Sequence, residues 1–376
     1  MDLYHRSIDI IKENQAASGA YVASPSFPTY HYCWLRDGSY IAYAMDTAGE
    51  HDSAERFFRW VGRAVVKYAG KLDVIRDHLY KGLPLGKDDF LHTRFSLDGL
   101  EDTRDAEWGN FQIDGYGTWL WALAEHVSMT ENWQLFAELR PAIDVTLHYL
   151  ELVWQLPNYD CWEEHPDYLH PYTLSTVYGG VDSIDRLIRT ARLDSFPTDV
   201  KKLKNEVKDF ILKYAVDGGM FVKHVYPAEA AEEPYPLVES GVDASLLGLA
   251  LPYQVVPLND LTLSHTLARI ESDLRRPGGG LYRYKEDVYY GGGEWILLTA
   301  WLGWVEARSG KSAQAHALQT WIEAQADANG DLAEQICDHP LFPQEYQPWI
   351  EKWGPIAKPL LWSHAMYVIL VNELSK

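Results

Sequence analysis

An all-α fold, an (α/α)6 barrel in a single domain spanning residues 1–376, is predicted by three features of the chain. Apolar residues recur with the helical period through most of its length, giving roughly twelve segments, while the two-residue alternation of strands is almost absent. Connections alternate between short and long. The segments before a long connection are apolar on one side, whereas those after it are apolar nearly all round. A helix that is apolar on every face must be buried on every face, so the second kind forms an inner ring inside the first.

Each element follows in order. An amphipathic helix opens the chain at Met1 and runs to the first long connection, residues 19–36. Short turns are expected near Gly49-Glu50, Thr130-Glu131, Asp194–Phe196, Pro252–Pro257 and Ser309-Gly310, where Gly, Pro and Asp cluster. Long connections are expected near 19–36, 70–113, 155–170, 216–239, 272–292 and 328–360. The segment around 200–214 is a model of the outer kind: Val200, Leu203, Val207, Phe210, Ile211 and Tyr214 make one stripe, and its lysines face elsewhere. Trp295–Leu302 and Met366–Val371 are models of the inner kind. The segment 172–192 is more polar than an inner helix should be. Loops longer than about 12–15 residues in a compact domain usually carry function, and here they converge on one rim.

Composition narrows the function. A formal charge of −21 with no Lys/Arg cluster excludes nucleic acid and an anionic membrane surface as partners. No apolar run reaches the roughly 18 residues of a membrane span. The N-terminus lacks a basic stretch followed by an apolar one, so no secretion signal is expected. Three widely spaced cysteines, Cys33, Cys161 and Cys337, imply no disulfide framework and suit a reducing cytoplasm. Nothing in the sequence fixes an oligomeric state. The 15 Trp and 24 Tyr exceed what packing alone recruits, and their flat apolar faces with polar rims match a sugar surface.

The loops hold the chemistry. Tyr30-His31-Tyr32-Cys33-Trp34-Leu35-Arg36-Asp37 closes the first, with Arg36 and Asp37 offering a fork and an acceptor for adjacent hydroxyls. Trp108-Gly109-Asn110-Phe111-Gln112-Ile113-Asp114 closes the second, where Gly109 allows a close backbone approach to a ligand. Asp160-Cys161-Trp162-Glu163-Glu164 and Leu332-Ala333-Glu334-Gln335 place acids beside aromatic residues. Two such carboxyls are what glycosidic cleavage requires, one protonated to release the leaving oxygen and one ionised to activate water; aromatic walls are expected to raise the first. Arg283-Tyr284 leads through Asp287, Tyr289 and Tyr290 to Trp295 between two glycine runs. No phosphate loop is present, because Val305 stands where the first glycine before Gly310-Lys311-Ser312 belongs. His165 and His170 bracket a loop acid without metal-ligand spacing, so neither metal nor cofactor is expected. A Ser-His-Asp site lacks its nucleophile elbow.

Together these motifs, with Val22-Ala23-Ser24-Pro25-Ser26, Ser240-Gly241-Val242-Asp243-Ala244 and Trp362-Ser363, follow the order found in glucoamylase-like glycoside hydrolases of family 15, which the chain resembles from about residue 20 onward. The resemblance implies an (α/α)6 barrel and an inverting exo-α-glucosidase that releases β-glucose from short α-glucosides. By that resemblance Glu163 is the general acid and Glu334 the general base, with Tyr30 near the attacking water and Tyr289 beside it. Arg36, Asp37, Glu164 and Arg283 bind hydroxyls, and Trp34, Trp108 and Trp295 belong to the same pocket. An N-terminal β-sandwich or a starch-binding domain, carried by many members, has no room here. Asn110 replaces an arginine common in fungal members, which points to an altered leaving-group side, as does the charged loop 71–104. A phosphorylase and a non-catalytic binding barrel are the competing readings; retention of both glutamates argues against each.

Overall fold

The computed structural model describes residues 2–102, 108–226 and 241–376; residues 103–107 and 227–240, including Ser240 and the end of the charged loop, lie outside them. Its helices are α1 (Leu3–Glu13), α2 (Leu35–Thr47), α3 (His51–Lys67), α4 (Lys71–Lys81), α5 (Asp114–Thr130), α6 (Trp133–Val153), α7 (Pro171–Ala191), α8 (Val200–Tyr214), α9 (Leu261–Leu274), α10 (Ile296–Arg308), α11 (Ser312–Gln325), α12 (Pro343–Trp353) and α13 (Leu361–Leu374). Around the inner ring α2 packs on α5, α5 on α7, α10 on α13, and α13 back on α2. Outside it, α1 lies on α13, α3 on α2, α6 on α5, α8 on α7 and α11 on α10. The predicted barrel is therefore the observed one.

The two kinds of helix differ as the pattern requires. In α8 the buried residues are Val200, Leu203, Val207, Phe210 and Ile211, a single stripe. In α10 every residue from Ile296 to Glu306 is buried, and in α13 every residue from Leu361 to Leu370. The polar α7 is nevertheless an inner helix, buried from Pro171 to Val181. Its hydroxyls turn back on the helix: Ser175 Oγ donates to the Tyr172 carbonyl and Thr176 Oγ1 to the Thr173 carbonyl. A serine or threonine that bonds its own helix can be buried without an outside partner.

Two expectations change. The fourth inner position is not an α-helix but a six-residue 3-10 segment, Ala244–Leu249, between α7 and α10 and covered by α9. Pro252 follows at once; it lacks an N–H and disfavours the α region at Leu251, so no longer helix fits there. Long connections also hold secondary structure of their own, α4 in the second and α12 in the last. Antiparallel two-residue pairs tie loops together: Cys33–Trp34 with Arg94–Phe95, and Glu294–Trp295 with Gln335–Ile336. No helix among the described residues is long and apolar enough to cross a membrane.

The tightest crossing is α5 on α7, and glycines permit it. A Cβ on Gly180 would stand 2.2 Å from the Gly117 carbonyl oxygen, and one on Gly117 would stand 2.3 Å from the Thr176 carbonyl. The obstacle in both cases is backbone, which cannot swing aside. Gly180→Ala is therefore expected to lower stability by about 1–3 kcal/mol or more, despite alanine's higher helix propensity, as read by denaturant unfolding. An unchanged or raised midpoint would contradict this packing.

Candidate active site

The inner helices begin at one end of the barrel, and a cavity of about 540 Å³ opens there. Tyr30, Trp34, Arg36, Asp37, Trp108, Glu163, Glu164, Arg283, Tyr289, Trp295 and Glu334, all singled out from the sequence, line it together. They come from loops that enter α2, α5, α7, α10 and α13. Strand-like pairing sets their register. Trp295 pairs with Gln335, which brings Glu334 beside the start of α10, and Trp34 pairs with Arg94.

Glu163 and Glu334 sit in opposed surroundings. Both oxygens of Glu163 accept hydrogen bonds from indoles, Oε1 from Trp34 Nε1 at 2.6 Å and Oε2 from Trp108 Nε1 at 2.8 Å. Its backbone is left-handed, with φ at 66°, a conformation that disfavours a side chain. Glu334 is buried, and Oε1 accepts from the Tyr30 hydroxyl at 3.0 Å, which in turn lies 2.9 Å from the Tyr289 hydroxyl. Oε2 has no hydrogen-bond partner among the described residues. Burial pushes Glu334 up to about 7, with Tyr30 and Arg283 opposing the rise. The aromatic walls expected to act by excluding solvent from Glu163 instead give it two donors, and the solvent-excluded acid is Glu334.

The remaining polar lining is charged, buried and cross-linked. Arg36 Nη1 donates to Asp114 Oδ2 at 2.9 Å and to Gln112 Oε1 at 3.2 Å, and Arg36 Nε lies 3.3 Å from Asp37 Oδ1. Burial pushes Asp37 up to about 6 against the pull of Arg36. Arg283 grips Asp287 with two bonds, at 2.7 and 2.5 Å, and lies 3.6 Å from Glu164 Oε1. Tyr284 donates to the other oxygen of Glu164 at 2.5 Å. The Trp295 Nε1 donor and Glu334 Oε2 have no hydrogen-bond partner among the described residues, and Arg36 Nε has Asp37 only as an ion-pair neighbour. Unmet buried donors and acceptors are costly, and a polyhydroxylated ligand supplies partners of both kinds.

Several lining residues escaped the sequence reading. Trp349 and Trp353 project from α12 toward the cavity mouth, and their four-residue spacing in a long connection was a usable signal. Arg94 also lines the cavity; only the pairing with Trp34 reveals it. Two expectations are corrected. Asn110 is buried away from the cavity, accepting from Thr93 N at 3.0 Å and donating to the Lys87 carbonyl at 3.1 Å, so it braces the loop. A Cβ on Gly109 would meet the Tyr159 ring at 2.3 Å, so the close approach there is to tyrosine, not ligand. His165 is exposed, whereas His170 is buried against His224, with Nδ1 atoms 2.9 Å apart and Asp160 nearby. His170 Nε2 faces the Asn158 carbonyl at 2.7 Å, so a single N–H···N bond satisfies the pair.

The model of glycosyl hydrolases family 15 matches residues 1–372. The chain is 38% identical over 380 residues to isomaltose glucohydrolase of Kribbella flavida, an alignment covering 99% of this chain and 92% of that protein. A solved structure described as a wild-type glycosidase superposes with a TM-score of 0.90 at 37% identity, covering 100% of this chain and 96% of the other. A bacterial glucoamylase complexed with acarbose shares the fold at a TM-score of 0.71 and 19% identity, over 99% of this chain and 55% of that one.

The raised Glu334 has a consequence for stability. Its carboxyl binds a proton more tightly folded than at its ordinary value of 4.5, so its contribution is fully present below that value and is lost as pH rises through about 7. Glu334→Gln removes the charge without changing shape. The variant is expected to melt above the wild type at pH 8 and to lose that advantage near pH 4.5. A gap that stays constant with pH would show that burial does not raise this group.

Proposed function

The chain belongs to glycosyl hydrolases family 15, and from that premise we propose that it is an inverting exo-acting α-glucosidase that removes a terminal glucose from short α-glucosides, isomaltose first among them. The observation that carries the mechanism is the division of Glu334: one oxygen is tied to Tyr30, and the other is unpartnered in the cavity that also holds Glu163. A general base needs an oriented oxygen that no protein donor occupies, and with Oε1 held by the Tyr30–Tyr289 hydroxyl pair the buried Oε2 is that oxygen, the one a water entering with the substrate would meet. Arg36, Asp37, Glu164 and Arg283 hold the terminal glucose by its hydroxyls. Glu163 delivers a proton to the glycosidic oxygen as the bond breaks, while water, losing its proton to Glu334, attacks the opposite face. Inversion follows, and β-glucose leaves.

The cavity size suits a short substrate, being within the range of small-molecule sites. The 38% identical relative named for isomaltose supports the choice of linkage. The barrel is the catalytic unit in this reading. Three unpaired thiols agree with a cytoplasmic setting.

Proton NMR of isomaltose cleavage tests the stereochemistry: the β-anomer is expected first, and initial α-glucose would overturn the mechanism. Glu334→Gln is expected to abolish turnover of every substrate, whereas Glu163→Gln should spare α-glucosyl fluoride, whose leaving group needs no proton. Equal losses on the fluoride would reverse the assignment.

The base must be ionised to accept a proton. With Glu334 at about 7, kcat/KM is expected to fall as pH drops through that value. An acid limb near the ordinary glutamate value would show that the base is another group.

A further inference from the structure

We propose that Arg94 is the positioning residue for the proton donor: its guanidinium lies against the rings of Trp34 and Trp108 and fixes the two indole N–H groups that hold Glu163. The proposal rests on the reading of Glu163 as the acid. Arg94 Cζ stands 3.9 Å from the Trp108 ring centroid, 5.3 Å from that of Trp34 and 4.4 Å from that of Tyr32. The residue is 6% exposed and lines the cavity.

The backbone places it there. Trp34 and Arg94 are direct partners in the antiparallel pair, so the guanidinium emerges beside the indole it supports. Trp34 and Trp108 meet edge to face, their planes at 82° and centroids 6.4 Å apart. Other rings pack on each from outside, Tyr30 and Tyr32 edge to face on Trp34 and His92 stacked on Trp108, but each of these touches one indole alone. Arg94 lies within cation–π range of both and so ties one indole to the other, because the guanidinium is attracted to each π face and its plane stacks where an ammonium only touches. Glu163 needs the restraint. It stands on a left-handed turn, and both of its oxygens take their bearings from those two N–H groups. A carboxyl that swings by an ångström no longer reaches the glycosidic oxygen.

Arg94→Met keeps the apolar stem of the side chain and removes the planar cation at its end. Its kcat for isomaltose is expected to fall about 10- to 100-fold with KM little changed, while kcat for α-glucosyl fluoride stays within about threefold of the wild type. Equal losses on both substrates, no loss on either, or a rise in isomaltose KM at constant kcat would overturn the proposal; the last would make Arg94 a contact to the leaving sugar. If Arg94→Met does not fold, Arg94→Lys carries the same comparison, with a smaller split expected in the same direction. Glu163→Gln serves as the reference. If it shows the split and the Arg94 variants do not, the positioning role fails alone. If Glu163→Gln itself fails to spare the fluoride, the assignment of the acid fails instead.

Discussion

The ion pair between Arg36 and Asp114 makes the barrel and the pocket one problem. Each residue lies in the first turn of an inner helix, α2 and α5, and each is almost wholly buried. A buried charge is tolerated only with a partner, and removing one partner of such a pair typically costs about 3–5 kcal/mol. Neither helix can therefore slide or rotate without stranding a charge, and the start of one is locked to the start of the next. The same guanidinium lines the cavity, with its Nε turned to Asp37 Oδ1 at 3.3 Å. Closure of the ring and placement of the Arg36–Asp37 pair in the cavity wall are a single arrangement.

Helix direction adds to this. The inner helices begin at the cavity, where the unpaired N–H groups of their first turns place partial positive charge. Asp37 and Asp114 occupy first-turn positions that this field favours. Against that common background the two glutamates are separated by their immediate neighbours. Glu163 meets two N–H donors, and Glu334 meets desolvation first, with Tyr30 and the charge of Arg283 against it. Desolvation alone would make Glu334 the acid of such a pair, so the proposed roles rest on where each carboxyl stands relative to the sugar and on the family, and the fluoride comparison decides between them.

Much of this was legible in the sequence, for identifiable reasons. The inner and outer helices are written in periodicity, since α10 and α13 have no polar face and α8 has one. The site residues were legible because loops have few structural reasons to hold Trp34-Leu35-Arg36-Asp37 or Trp162-Glu163-Glu164. What escaped depends on pairing across distance. Arg94 reads as one more surface cation until its strand register with Trp34 is known. His224 has no spacing relation to His170. Asn110 was read only as the replacement of an arginine common in fungal members, and a residue comparison of that kind does not show that its amide is spent on Thr93 and Lys87. The polar α7 defeated the inner-helix pattern because hydroxyls that bond their own helix are invisible to a hydrophobicity count.

The left-handed backbone at Glu163 sets the turn against the side chain it carries. A glutamate there carries a conformational penalty that glycine does not, and asparagine carries less of it. Two indole N–H bonds to its carboxylate work against that penalty, so a change to glycine would relax the backbone and leave the Trp34 and Trp108 donors unmet. The two indoles are thus what keeps a glutamate in a backbone conformation it would otherwise leave, and the turn and the tryptophans stand or fall together.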